Sequence, residues 1–282
     1  MRGNAFGPLP ACLFLTAATL ASPPGFAPPL DQKLSYVRTE ERSDPSGKVL
    51  FRTERSLIFA RRNNGWTVTI RPIAEQAPTG RRAAGLIAAG LSGLKGKTVI
   101  MALDAHGSVT GIEDEDTVWG AFLSGITALV ARTPTPKVGQ PAQPQQIDGT
   151  LKSLPRANRF SLLKSLLPPI VAPGVGDAEI GTTRPVTMSA VAPSGAPTKL
   201  TGDERYQSAG DGLLIIETRV QGDIPASGAV PAAHIVAERV QRIDRRSGLI
   251  VESRERRETT IGNGRSAARS VTVTMGKLRL VS

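Results

Sequence analysis

The chain has 282 residues, with 35 Lys and Arg against 24 Asp and Glu for a formal charge of +11, one cysteine and 4% aromatic residues. Aromatic residues this sparse, and not interleaved with the basic ones, offer no base-stacking surface, which argues against nucleic acid as a partner. A single cysteine excludes an intrachain disulfide framework and any cluster of thiolate metal ligands.

Residues 1–21 read as a signal peptide. Arg2 supplies the positive start, Ala11 to Ala21 is an apolar run, and Thr19-Leu20-Ala21 offers small residues for cleavage before Ser22. The run is shorter than the roughly 20 apolar residues that span a bilayer. The mature chain is therefore expected to carry no transmembrane anchor and to be periplasmic or secreted. Cys12 leaves with the signal peptide, removing any thiol nucleophile. A basic exported protein meets anionic lipid headgroups, lipopolysaccharide or peptidoglycan.

The first half, residues 28–132, opens as a meander. Leu34 to Arg42 alternates as a strand, and Asp44-Pro45-Ser46-Gly47 makes a turn. Lys48 to Arg61 follows, with Val49, Phe51, Leu57 and Phe59 on one face. Asn63-Asn64-Gly65 gives a hairpin turn, and Trp66, Val68 and Ile70 then alternate with polar residues until Pro72 closes the strand. Arg81 to Lys95 reads as a helix with Leu86, Ile87, Leu91 and Leu94 on one stripe. Gly85, Gly90 and Gly93 weaken it, which leaves two readings open: a mobile lid, or close contact with the sheet.

Leu94 to Asp116 predicts a hairpin running into a helix. Val99, Met101 and Val109 share one face around the turn Asp104-Ala105-His106-Gly107. Asp116 is the expected N-cap of a helix over Thr117 to Ala131, with Val118, Phe122, Ile126, Leu129 and Val130 on its apolar stripe and Trp119 beside it.

Residues 133–150 are rich in Pro and Gln and read as a linker. In the second half, residues 151–282, a helix over Asn158 to Leu167 is stopped by Pro168-Pro169. Strands follow at Arg184 to Ala192, Thr198 to Ser208, Gly212 to Gln221, Ala233 to Arg242, Leu249 to Thr260 and Ala267 to Leu280. The hairpin around Asp244 to Gly248 repeats the Asp-to-Gly device of the first half. Alternation places Trp66, Val68, Ile70, Val99, Met101, Val271 and Val273 toward one interior.

The run Leu94-Lys95-Gly96-Lys97-Thr98, the Asp-x-x-Gly turn, Leu167-Pro168-Pro169, Val175-Gly176-Asp177 and the terminal hairpin meander together resemble a bacterial family of secreted and lipid-anchored proteins of unknown function. In layout such proteins are similar to the carriers of lipoproteins and lipids in the bacterial envelope. The resemblance implies an incurved antiparallel half-barrel closed by helices, with a concave apolar surface able to hold an acyl chain.

Side chains with chemistry are few. His106 lies in a turn and His234 at a strand entrance, and neither has a second ligand at metal spacing. Glu113, Asp114, Glu115 and Asp116 crowd a helix start, where they complement the macrodipole, and they lack the spacing of a calcium loop. No nucleophile elbow or dinucleotide loop occurs, so no catalytic residue, metal or cofactor is expected and the chain is read as a non-enzyme. Arg239, Arg242, Arg245, Arg246, Arg254, Arg256 and Arg257 form the densest basic cluster, interleaved with Glu252, Glu255 and Glu258.

The expected fold is mainly antiparallel β (α+β), a curved half-barrel-like sheet in two related halves with a few helices packed against it. The expected function is non-catalytic binding of a lipid-like or apolar ligand by Trp66, Val68, Ile70, Leu86, Met101, Trp119 and Phe122. The alternative is an envelope-interaction module that binds an anionic polymer or a protein partner through Arg242, Arg245, Arg246, Arg254 and Arg256.

Overall fold

Alternating apolar residues in long β-branched and aromatic runs give strands whose one face must be buried, and the chain solves this with a single sheet. A computed structural model describes residues 26–45, 47–76, 89–132, 149–172, 179–191, 197–226, 231–262 and 267–281. The first meander is β1 (Lys33–Asp44), β2 (Gly47–Arg62) and β3 (Gly65–Gln76), followed by the hairpin β4 (Val99–Leu103) and β5 (Val109–Ile112). Two helices follow, α1 (Glu115–Arg132) and α2 (Arg156–Lys164). The second meander is β6 (Thr183–Val191), β7 (Pro197–Ser208), β8 (Leu213–Ile224), β9 (Ala233–Asp244), β10 (Leu249–Ile261) and β11 (Ala268–Leu280).

These strands form one curved, open, antiparallel sheet of 11 strands in the order β5-β4-β3-β2-β1-β11-β10-β9-β8-β7-β6. The halves meet where β1 pairs with β11, with Tyr36 opposite Leu278 and Thr39 opposite Met275. Because directly opposed residues share a face, the register sorts every side chain into one of two surfaces.

The face that carries the helices holds the main core. Across it run Phe59, Val68 and Met101, then Leu57, Ile70 and Val99, all fully buried. The apolar side of α1, with Val118, Trp119, Phe122 and Ile126, packs into the same cluster. Leu163 of α2 and the following Leu166 and Ile170 extend it, and Ile170 accepts a backbone hydrogen bond from Ile250 at 2.8 Å. Phe26 seals the near end edge-to-face on Phe59 and Trp66, each at 5.8 Å between ring centres. Burying a side chain of this size contributes about 1.5–3 kcal/mol. Two smaller clusters on the same face, around Leu200, Val220 and Ile235 and around Tyr206, Ile216 and Ile243, belong to the second meander.

Several local expectations are corrected. Pro72 does not end β3, which runs on to Gln76, because β3 bulges at Ile73, beside Pro72 and opposite Glu54 and Arg55 of β2, where a ladder amide is not required. Helix α1 starts at Glu115, so Asp116 lies in its first turn and is not its cap. Val271 and Val273 do not face the core. They oppose Ser43 and Glu41, on the opposite surface from Tyr36 and Leu278. Strict Val/Thr alternation fixes that two faces exist; only the neighbouring strand decides which is covered.

Of the helix expected at Arg81 to Lys95, residues 89–93 are helical, while 81–88 lie outside the described residues, as do the signal peptide, residues 133–148 of the linker and Val175-Gly176-Asp177. At Gly90 an added Cβ would overlap the Phe122 ring, and at Gly93 the Ala121 carbonyl, so these glycines serve close contact with α1. Among the described residues, no helix is long and apolar enough to cross a membrane.

Candidate binding groove on the open face

The predicted apolar site is assembled, but as core. Trp66, Val68, Ile70, Met101, Trp119 and Phe122 all belong to the main cluster between the sheet and α1, with the Trp119 and Phe122 rings stacked at 5.6 Å. An apolar chain entering there would have to displace side chains already packed against one another. Leu86 lies outside the described residues.

The acidic run at the start of α1 is engaged in ion pairs. Glu113 accepts from Arg62 at 2.5 Å, Glu115 from Arg156 at 3.3 Å, and Asp116 lies 3.7 Å from Arg159, which ties α1 to β2 and α2. Asp104 caps its own turn, accepting from the amides of His106 and Ser108 at 2.9 and 2.8 Å, and His106 is exposed. His234 gains a partner that sequence spacing did not reveal: Nδ1 sits 2.7 Å from Asp223 Oδ1 on the neighbouring strand.

A buried polar group appears on the helix side of β7 and β8. Glu204 accepts from Tyr206 Oη at 2.6 Å, Thr218 Oγ1 at 3.1 Å and Arg184 at 3.3 Å, and all four side chains share one face. Burial alone would raise the Glu204 carboxyl, but the hydrogen bonds from Tyr206, Thr218 and Arg184 outweigh it and hold the group below its ordinary range. Burial, followed by the hydrogen bond to Glu204, pushes the Tyr206 phenol up to about 12. Every acceptor oxygen of Glu204 is thus occupied by the protein itself, which marks the cluster as structural.

The basic cluster divides between the two faces. Arg239 and Arg257 lie on the helix side, whereas Arg242, Arg254 and Arg256 project from the opposite, open surface. Arg245 and Arg246 are exposed in the β9–β10 turn, which Asp244 organises by accepting from the Arg246 amide and from Ser247 Oγ at 3.1 and 2.6 Å. Arg242 is committed to Glu252 at 3.5 Å and Arg256 to Glu258 at 3.0 Å.

Arg254 belongs to a different setting. On the open face a row runs Arg52, Thr39, Met275, Arg254 across β2, β1, β11 and β10, and beside it runs Glu54, Val37, Lys277, Glu252. These residues, with Ser35 and Arg279, line a groove of about 620 Å³. Val37 and the half-exposed Met275 supply its apolar lining, and Arg52, Arg254, Lys277 and Arg279 lie around them. The side chains of these four cations make no hydrogen bond or ion pair among the described residues. Of the two carboxylates, Glu252 serves Arg242, and Glu54 accepts from Ser35 at 3.2 Å. Three of the four cations, Arg52, Lys277 and Arg279, were missed in the sequence because they lie on strands far from the Arg-rich run and come together only through the β1–β11 pairing.

No protein-family model matches the chain, and no curated protein matches it. Among solved structures it is similar to one described as lipid-protein interactions in lipovitellin, with a TM-score of 0.43 and 10% sequence identity. That likeness covers 91% of this chain and 25% of the other, so the chain spans about a quarter of that protein's length. A likeness of this degree assigns neither family nor ligand.

Proposed function

We propose that the protein is a non-catalytic binding protein, acting after export, whose ligand is an amphipathic anion held in the open-face groove. The observation that carries this reading is the set of four cations, uncommitted among the described residues, around the apolar side chains of Val37 and Met275. An anionic headgroup would be met by Arg254 and Lys277 on one side or by Arg52 on the other, and a short apolar chain would lie over Met275. The volume of about 620 Å³ suits a small-molecule ligand. Residues 1–21, read as a signal peptide, support the compartment, where anionic lipids and their fragments are abundant.

Titration calorimetry with dodecyl phosphate below its micellar concentration tests this. Wild type is expected to bind. The double variant Arg254→Ala/Lys277→Ala should bind at least ~10-fold more weakly, since charge-assisted hydrogen bonds are worth about 1.5–3 kcal/mol. Equal binding by the two proteins, or none by wild type, overturns the reading.

A further inference from the structure

We infer that the open face of the sheet docks on an anionic lipid surface, with Leu50, Met275 and Val240 entering the headgroup region. This inference rests on the proposed groove for its cations, but its apolar contacts lie largely outside that groove. Leu50 is 53% exposed, Met275 50% and Val240 40%, and all three project from the surface that the helices leave uncovered. Register fixes their arrangement. Val240 on β9 is directly opposite Arg254, Met275 on β11 is opposite Arg254 from the other side, and Leu50 on β2 lies two residues from Arg52. Leu50 and Val240 thus flank the groove, separated by four strand spacings, roughly 19 Å.

Charge selects the partner. Around the groove several carboxylates of this face are paired with neighbouring cations: Glu41 with Lys48 at 2.9 Å, Glu252 with Arg242 at 3.5 Å, Glu238 with Arg219 at 3.7 Å, and Glu258 with Arg256 at 3.0 Å. In the groove itself Arg52, Arg254, Lys277 and Arg279 outnumber Glu54, whose partner is the Ser35 hydroxyl, and the resulting positive surplus is set among exposed apolar side chains. A soluble polyanion would use the cations and leave Leu50 and Val240 in water. A second copy of the chain would bring like charges together. An anionic bilayer surface satisfies both kinds of group at once, phosphates against the guanidinium groups and acyl chains against Leu50, Met275 and Val240. Seated in this way, the groove opens directly onto the lipid from which an amphipathic anion would be taken.

Co-sedimentation of the full chain with vesicles tests the inference. Wild type is expected to sediment with phosphatidylglycerol/phosphatidylethanolamine vesicles, to ignore phosphatidylcholine vesicles, and to be released by salt. Leu50→Glu/Val240→Glu should weaken vesicle binding on the order of tenfold or more, because apolar burial is replaced by charge. The milder Leu50→Thr/Val240→Thr, which keeps strand propensity, should weaken it in the same direction. Both variants should retain dodecyl phosphate binding, since neither residue lines the groove. Vesicle binding unchanged by these substitutions, competed fully by dextran sulfate, would overturn docking in favour of a polyanion surface. A wild-type dimer that dissociates on Leu50→Glu/Val240→Glu, with no vesicle binding, would overturn it in favour of self-association. Vesicle binding without dodecyl phosphate binding would overturn the groove reading and leave docking standing.

Discussion

Leaving Glu204 buried without partners would cost several kcal/mol, and its three donors remove that cost. Tyr206, Thr218 and Arg184 come from β7, β8 and β6, so one carboxylate fixes the relative position of three strands. Glu204→Gln should destabilise the protein by about 1–3 kcal/mol near neutral pH, because Gln keeps the shape but removes the charge the donors face. The native carboxyl lies below its unfolded value of 4.5. Its contribution is therefore present above pH 4.5 and is lost as pH falls through the native value. Denaturant titrations of wild type and Glu204→Gln should converge in acid, and a difference that grew below pH 4.5 would contradict the network. Tyr206 has the opposite sign. Its native value of about 12 stands above the unfolded 10.0, so its contribution is complete below pH 10 and disappears as pH approaches 12.

Among elements, the contact between residues 89–93 and α1 has the clearest mechanical consequence. A helix rich in glycine reads from sequence as either a loose cover or a tight one, and the Gly90 and Gly93 approaches to Phe122 and Ala121 decide for the tight one. Gly90→Ala would raise helix propensity, but its methyl group would overlap the Phe122 ring. The expected net effect is destabilisation by about 1–3 kcal/mol, measured as a lower thermal midpoint. A higher midpoint would restore the mobile lid. The strands themselves were legible in the sequence because turn residues bracket them: Asn63 does adopt positive φ between β2 and β3, and Gly107 and Gly248 do so in the two Asp-to-Gly hairpins. What the sequence hid was non-local. The bulge that carries β3 past Pro72, the outward face of Val271 and Val273, and the assembly of Arg52 with Arg254 all depend on partners far along the chain.

For the whole molecule, the decisive pairing is β1 with β11, which joins two sequence halves into one sheet and creates the groove at its own seam. Leu278 of β11 is buried in the cluster dominated by β1 to β4 and α1, so the C-terminal strand completes the N-terminal core. Two halves that merely touched would unfold separately, whereas halves that share backbone ladders and a core should unfold together. Trp66 and Trp119 are the two tryptophans of the chain, and both lie in that cluster, so fluorescence reports on the first half while the far-ultraviolet signal reports on all 11 strands. The two signals are expected to give coincident urea transitions. Leu278→Ala, which should cost about 2–5 kcal/mol, is expected to move both midpoints together. A fluorescence transition that shifts while the far-ultraviolet one stays in place would show that the seam does not couple the halves. The groove would then lie between two independently folding units, and its four cations would be held together only as long as both remained folded.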